Sequence, residues 1–342
     1  MKTILVTGGC GFIGSNFIRR TLATIPDINI VNVDVMIYSG HAMGLAEFRE
    51  DPRYTFYLVD IGNHLAVKEI LAKHVPDYVV NFAAHTHVDR SIDDPQPFID
   101  TNIVGTFRLL EEIRRYKRPD DFKFVHISTD EVYGSALGEP FTEETAYDPS
   151  SPYSASKAAS DHLVKAYYRT YGLPAVITNC CNNYGPYQFP EKLIPLMILN
   201  GVEGRELPVY GTGGNIRDWI HVDDHVDALW CVIAKGEVGG TYNIGANCEL
   251  SNLEVVHKIC DRLDELSAIG IVPARDYREL VKFVGDRPGH DLVYSVCNHK
   301  LLSLGWRPIV KFDDGLANTI SWYCDNIDWV AKIHDRRRLG NA

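Results

Sequence analysis

Cysteine never occurs in this 342-residue chain at a spacing that suggests pairing or metal binding: Cys10, Cys180, Cys181, Cys231, Cys248, Cys260, Cys297 and Cys324 form no Cys-x-x-Cys pair and no cluster with histidine. That scatter excludes the common zinc ligand sets and a disulfide framework, so free thiols, a reducing cytoplasm and no bound metal are expected. Long apolar runs are also missing, and no uncharged segment approaches the roughly 20 residues needed to cross a bilayer. Met1 to Thr7 enters a strand-like run without the basic and apolar regions of a secretion signal. A soluble protein with no membrane partner is expected. An excess of positive charge is absent too; the formal net charge of -11 argues against a nucleic-acid partner and restricts any anion site to a local one. There is no internal repeat or low-complexity linker, and residues 334–342 read as a frayed tail.

What remains is an ordinary globular composition, 45% hydrophobic and 23% charged, sufficient for one large or two modest cores. Ile4 to Val6, Ile30 to Val33, Phe56 to Val59, Tyr78 to Phe82, Phe122 to Ile127 and Ala175 to Thr178 are short apolar runs that read as buried parallel strands. Helical stretches at Phe12 to Thr24, Leu65 to His74, Phe98 to Tyr116 and Tyr153 to Tyr171 alternate with them. This predicts an α/β fold, a Rossmann-type doubly wound parallel sheet with ligands at the strands' carboxyl ends. After Tyr184-Gly185-Pro186 the alternation stops, and Pro190, Pro195 and Pro208 divide the chain into shorter pieces. A smaller, interleaved α/β substrate-binding lobe is expected there. Asp223 to Ala234 and Thr241 to Ile244 read as a return to the first sheet before Ser251 to Leu266 adds another helix. The expected boundaries are residues 1–185 and about 219–247 for the first domain, and about 186–218 and 248–333 for the lobe.

Thr7-Gly8-Gly9-Cys10-Gly11-Phe12-Ile13-Gly14 follows the first strand and opens a helix. Gly8, Gly11 and Gly14 let the backbone approach a pyrophosphate, and Phe12 and Ile13 head the helix whose amides would face it. Asp34 ends the second strand, where a carboxylate suits an adenosine ribose diol and repels a 2'-phosphate. NAD is therefore expected rather than NADP. Asp60 with Ile61, and Ala83 with Ala84, end the next two strands; they either line the adenine and ribose crevice or are packing choices.

Tyr153 and Lys157 project from one helix face behind Pro152, whose missing amide hydrogen costs nothing in a first turn. The ammonium would favour the phenolate and make Tyr153 a base for oxidising an alcohol, with the Thr129 hydroxyl bridging the two. Taken alone, the pair fits a buried tyrosine and a snorkelling lysine better than a catalytic pair. The glycine loop upstream and Thr129-Asp130-Glu131 at a strand end favour chemistry. One carboxyl can protonate a leaving hydroxyl while the other takes a carbon-bound proton, which together suggest dehydration. The plain alternative is a polar strand end that caps the next turn.

Further motifs are His87-Val88-Asp89-Arg90-Ser91-Ile92, Ser128 to Gly134, Asn182 to Pro195, Asn215 to Trp219 and Asp286 to Asp291. With these the chain closely resembles, over nearly its whole length, the extended short-chain dehydrogenase/reductase family and, within it, the nucleotide-sugar 4,6-dehydratases. The resemblance implies a hydro-lyase acting on a nucleoside-diphosphate glucose, dTDP-glucose first, with UDP- or CDP-glucose as alternatives. It implies that Tyr153 with Lys157 takes the hydroxyl proton at sugar carbon four while hydride passes to NAD+. Glu131 would then take the proton at carbon five, and Asp130 would protonate the hydroxyl leaving carbon six. It further implies Asn182 near the nicotinamide, and His87, Thr129, Asn183, Lys192, Leu193, Pro208, Tyr210, Arg217, Asn252, Arg287 and His290 around the nucleotide sugar. Arg217 and Arg287 suit phosphate through forked donors, with surface salt bridges as their alternative. A homodimer across Phe98 to Tyr116 and Tyr153 to Tyr171 is implied as well.

The chain departs from the family at Ala84-His85-Thr86-His87, where Ala-Glu-Ser-His is expected, and at Met36 to His41, near the adenosine. His85 reads as a hydrogen-bonded loop histidine outside the mechanism. Two rival readings are a nucleotide-sugar 4-epimerase or decarboxylase with the same Tyr and Lys, and a non-catalytic NAD-binding regulator. Epimerases of the superfamily usually carry small hydroxyl residues where Asp130 and Glu131 stand.

Overall fold

Apolar strands wrapped by helices form the first half of the chain in the computed structural model, which describes residues 1–37, 40, 42–136 and 138–339. In order come β1 (Lys2–Thr7), α1 (Phe12–Thr24), β2 (Ile28–Asp34), β3 (Tyr54–Leu58), α2 (His64–His74), β4 (Tyr78–Asn81), α3 (Val88–Asp93) and α4 (Gln96–Phe98). A π-helical stretch (Ile99–Gly105) leads into α5 (Thr106–Arg115), β5 (Lys123–Thr129), α6 (Pro152–Tyr171) and β6 (Ala175–Cys180). Then follow β7 (Asn182–Tyr184), α7 (Leu193–Glu203), β8 (Leu207–Tyr210), β9 (Ile216–His221), α8 (Val222–Lys235), β10 (Thr241–Ile244) and β11 (Glu249–Ser251). The chain ends through α9 (Asn252–Ala268), β12 (Val281–Val284), α10 (His299–Ser303), α11 (Phe312–Asp325) and α12 (Ile327–Leu339).

Seven strands pair in the order β10-β6-β5-β4-β1-β2-β3, and each neighbouring pair is parallel. The strand order reverses between β1 and β4, so their carboxyl ends open a crevice of the kind in which doubly wound sheets hold ligands. Both faces are covered. Ile4, Val6, Val80, Val125 and Val176 enter one core, while Leu5, Val31, Val79, Phe124 and Ile177 enter the other. Burial on two sides is why these strands appear in the sequence as unbroken apolar runs.

Local signals fix the helix that carries the candidate base. Ser151 and Ser154 cap α6 reciprocally, Pro152 occupies its first turn, and Gly172 ends it in the left-handed region at φ 62°. The continuous helix expected over Phe98 to Tyr116 is instead interrupted by the π-helical stretch. Asn102, buried within it, donates to the His85 carbonyl (3.0 Å) and to Ser156 Oγ (2.8 Å) and accepts from the His85 amide (2.9 Å). The widened turn lets one side chain tie the loop after β4 to α6.

The later segments build two small sheets, β11-β9-β7 and β12-β8. Around them Met197, Ile198, Val256, Ile259, Leu263, Leu316 and Ile320 form a separate core between α7, α9 and α11. Ser251 and Glu254 form the capping box that opens α9. Residues 334–339, expected as frayed tail, continue α12, whose Val330 and Ile333 are buried on the preceding turns; Gly340 to Ala342 lie outside the described residues. Among the described residues no helix is long and apolar enough to cross a membrane. All eight cysteines are free.

Candidate active site

A cavity of about 340 Å³ opens at the carboxyl ends of β1, β2, β4 and β5, lined by Gly8, Gly11, Phe12, Ile13, Gly14, Asp34, Asp60, Ile61, Ala83, Ala84 and Asn182 among others. Its floor accepts no side chain. A Cβ on Gly8, whose φ is +70°, would lie 2.5 Å from the Ala83 nitrogen, and one on Gly14 would lie 2.5 Å from the Gly8 carbonyl oxygen. Gly11 caps α1 without a side-chain hydrogen bond, which leaves first-turn amides to a ligand. Asp34 is buried and accepts from the Cys10 (2.8 Å) and Met36 (2.6 Å) amides. Burial raises its pKa, and those two donors oppose the rise. Asp60 sits at the exposed edge and accepts from the Gly62 amide at 2.6 Å. This glycine cradle beside a fixed carboxylate suits a dinucleotide. Tyr38, Ser39 and His41, in the unusual segment after β2, lie outside the described residues.

Thr129, Asp130, Glu131, Tyr153 and Lys157 line the same cavity. A short 3-10 turn, Asp130–Tyr133, follows β5, and Thr129 caps it: Oγ1 accepts from the Glu131 amide at 3.3 Å and donates to Asp130 Oδ1 at 3.3 Å. The cap is thus the threonine, and neither carboxylate is needed for it. Asp130 is buried, and its Oδ2 meets no hydrogen-bond partner. Burial, followed by the charge of Glu131, pushes the Asp130 carboxyl well above its usual range. Burial also raises Glu131, but Arg287, Lys192 and Arg217 pull it back. Two adjacent carboxyls in unlike fields make a natural acid and base.

The Tyr153 phenol is pushed well above its ordinary pKa by burial and then by Glu131, opposed by a hydrogen bond with Thr129. Lys157 donates to the Ile127 carbonyl at 2.7 Å, and burial lowers its pKa. Burial is the largest influence on both groups and acts in opposite directions, raising the phenol and lowering the ammonium.

Of the residues expected around the nucleotide sugar, Asn183, Lys192 and Thr129 line the cavity, while His87, Leu193, Pro208, Tyr210, Arg217, Asn252, Arg287 and His290 lie outside its lining. Lys192 donates to the Thr86 carbonyl at 2.9 Å. Both ends of the Asn183 amide are engaged, by His225 (2.7 Å) and the Cys181 carbonyl (2.9 Å). His87 accepts from the Arg90 amide at 3.4 Å, and burial pushes its pKa down to about 4. Arg217 is no surface ion pair. It is buried, donates to the carbonyls of Ile216 (2.7 Å), Asp291 (2.9 Å) and Leu292 (3.3 Å), and lies 4.0 Å from the Tyr294 ring centroid. Arg287 faces Asp89 at 3.5 Å, Tyr210 donates to Asp89 at 3.1 Å, and His290 bonds Asp286 at 2.6 Å. Leu193 and Asn252 open α7 and α9, and Pro208 lies within β8.

Asp89 and Asn102 were not singled out from the sequence. Asp89 joins Tyr210 and Arg287 across the cleft, and its signal was a carboxylate inside the His87 to Ile92 motif. The signal for Asn102 was a lone amide within an otherwise helical run. His85 lines the cavity beside Phe98, with ring centroids 5.3 Å apart.

A family model described as GDP-mannose 4,6 dehydratase matches residues 5–319. The curated dTDP-glucose 4,6-dehydratase of Neisseria meningitidis serogroup B is 52% identical over 342 aligned residues, spanning 97% of this chain and 96% of that protein. The crystal structure of dTDP-glucose 4,6-dehydratase from Bacillus anthracis, in complex with NAD, matches with a TM-score of 0.88 and 42% identity, over 97% of this chain and 100% of that one. DesIV, the dTDP-glucose 4,6-dehydratase of Streptomyces venezuelae solved with NAD and dTDP, matches with a TM-score of 0.89 and 43% identity, over 97% and 99% of the two chains.

Proposed function

The chain belongs to the family described as GDP-mannose 4,6 dehydratase, and from that membership and the geometry of its site we propose that it is an NAD-dependent hydro-lyase converting dTDP-glucose to the 4-keto-6-deoxy sugar and water. The observation that carries this reading is the pair at the end of β5. Asp130 is buried with an unpartnered oxygen, Glu131 faces three cations, and both share a cavity with Tyr153.

The glycine cradle and Asp34 hold the cofactor. When bound, NAD supplies a hydride store for carbons four and six of the sugar. Tyr153, linked to the substrate alcohol through Thr129, takes the hydroxyl proton at carbon four. The resulting ketone acidifies the proton at carbon five, which Glu131 removes. Asp130, kept protonated by burial, donates to the hydroxyl leaving carbon six. Arg287, Lys192 and Arg217 give the nucleotide-sugar side of the cleft its positive field.

Incubation with dTDP-, UDP- and CDP-glucose in heavy water tests this. Turnover of dTDP-glucose to a 6-deoxy ketosugar carrying deuterium at carbon five is the expected outcome. A simple 4-epimerase would give neither the label nor the deoxy sugar. NAD and sugar binding without product would favour a non-catalytic regulator, and inactivity toward all three sugars would remove the proposal.

We assign residues 1–185 and about 219–247 to the cofactor domain and about 186–218 and 248–333 to the sugar-binding lobe; the seven-stranded sheet and the separate second core support the division, with β7 and Tyr184 crossing it to pair and pack with the lobe. A homodimer across Phe98 to Tyr116 and Tyr153 to Tyr171 is supported by Ile99, Phe107, Tyr168 and Tyr171, apolar residues left exposed there. Sedimentation showing only monomer at micromolar concentration would reject it. A cytoplasmic location accords with eight free thiols.

A further inference from the structure

His225 is fully buried in the first turn of α8, and the mechanism above makes no use of it. Its Nδ1 lies 2.7 Å from Asn183 Oδ1. The other end of that amide is fixed independently, because Asn183 Nδ2 donates to the Cys181 carbonyl at 2.9 Å. The atom turned to the ring is therefore the amide oxygen, which only accepts, and the imidazole proton sits on Nδ1. Nε2 is bare, buried and without a hydrogen-bond partner among the described residues. A second proton there would find no acceptor, and burial pushes the pKa of the ring down to about 3. The ring stays neutral, with its one donor aimed at Asn183.

Both partners are held by their own surroundings. The first turn of α8 is anchored by Asp224, which accepts from the amides of Ile309 (3.1 Å) and Val310 (2.9 Å). Asn183 pairs with Ile220 where β7 meets β9, and its backbone carbonyl accepts from Gln188 Nε2 at 2.8 Å. Gly185 lets the two segments close on each other: its φ is 144°, and a Cβ there would lie 2.7 Å from Val222 Cγ1. A hydrogen bond between two fixed elements leaves the side chain little freedom to turn.

Asn183 lines the cavity together with Thr129, Glu131 and Lys192. One of its two amide hydrogens is spent on the Cys181 carbonyl, and the other faces the Cys180 thiol, a weak acceptor on the same wall. The diphosphate, glycosidic and ring oxygens of a nucleotide sugar only accept. They need the donor end of the amide.

We propose that His225 is a positioning residue: by donating from Nδ1 to Asn183 Oδ1, it keeps the carbonyl of that amide turned inward and its N–H available to an oxygen of the bound nucleotide sugar. This rests on the reading of Asn183 as a contact to the sugar nucleotide.

The test measures the Kd for dTDP-glucose by calorimetry, with NAD-loaded protein in a Tyr153→Phe background, and kcat and KM in the active one. His225→Leu fills a similar space without a donor. It should raise Kd and KM about tenfold, with kcat changed by less than about twofold. His225→Asn, whose Nδ2 takes the place of Nδ1, should bring Kd back to within about threefold of the parent. Asn183→Ala should cost about as much as His225→Leu, and the double variant should be no worse than Asn183→Ala alone. An unchanged Kd in His225→Leu, no recovery in His225→Asn, or additive losses in the double variant overturns the proposal. If His225→Leu does not fold, His225→Met, whose flexible side chain adapts to the same space, is read by the same criterion. An unchanged Kd in Asn183→Ala removes Asn183 from the sugar site, and the role of His225 with it. A parent that binds dTDP-glucose without turning it over removes the proposed function alone, and the Kd comparison still decides His225.

Discussion

On the sheet side of the cleft, the cofactor cradle is made mostly of backbone, with Gly8 and Gly14 pressed against neighbouring main chain and Asp34 fixed by two amides. On the lobe side, Arg287 faces Asp89, Tyr210 donates to the same carboxylate, and His290 is held by Asp286, all of them side-chain contacts. A backbone site follows from the fold and admits little variation. A side-chain site is more easily altered and can exchange one partner for another. Changes near the sheet should therefore strike the chemical steps, whereas changes in the lobe should strike substrate binding.

Glu131→Gln should break that division most visibly if it is wrong. Loss of a general base costs about 10² to 10⁴ in rate, and the block falls after oxidation, so reduced cofactor should build up on the enzyme. Stopped-flow absorbance checks this; normal product formation without a reduced-cofactor signal would remove Glu131 from the mechanism. Arg287→Ala belongs to the other side. A hydrogen bond to a charged group contributes about 1.5–3 kcal/mol, so KM should rise about ten- to a hundredfold with kcat nearly unchanged. An equal fall in kcat would mean that Arg287 acts chiefly by tuning Glu131, its neighbour in the electrostatic field.

Asp130→Asn probes the same contrast through stability. Burial raises the folded pKa of Asp130 well above the ordinary aspartate value, so as pH climbs the unfolded chain ionises first. Stability present below that value is then lost as pH rises toward the folded pKa. The amide cannot ionise, so the variant should be more stable than the parent by about 1–3 kcal/mol near neutral pH and by almost nothing in acid. Urea melts at the two pH values decide it. A difference independent of pH would indicate a packing effect.

The same contrast explains what could be read without coordinates. Strands buried on both faces gave unbroken apolar runs, and Pro152 marked where the helix bearing Tyr153 begins. That Asp34, Ala83, Thr129 and Asp130 line one cavity was legible because a strand end has a defined place in a doubly wound sheet. Less could be read where contacts join distant segments. The pairing of β8 with β12 connects residues more than seventy positions apart, and no local pattern announces it. The π-helical stretch depends on Asn102 reaching His85 and Ser156, which only the folded chain brings near. The burial of Arg217 likewise depends on the carbonyls of Asp291 and Leu292, more than seventy positions away, which its sequence neighbours do not reveal.

Tyr210→Phe is the smallest change and isolates the lobe side most cleanly. It removes the bond to Asp89 while keeping the ring that stands edge-on to His290, 6.2 Å away. Tyr210 is 40% exposed, so water can replace the lost donor, and the net cost should lie near the low end of about 0.5–1.5 kcal/mol. Its sign is the informative part. Asp89 would hold one contact fewer and draw more strongly on Arg287, leaving that guanidinium less available to a diphosphate. KM for dTDP-glucose should therefore rise about two- to threefold, with kcat and the Glu131-dependent steps unaltered. A fall in KM would show that Tyr210 restrains the site in the free enzyme and would reverse the order of events assigned to this side of the cleft.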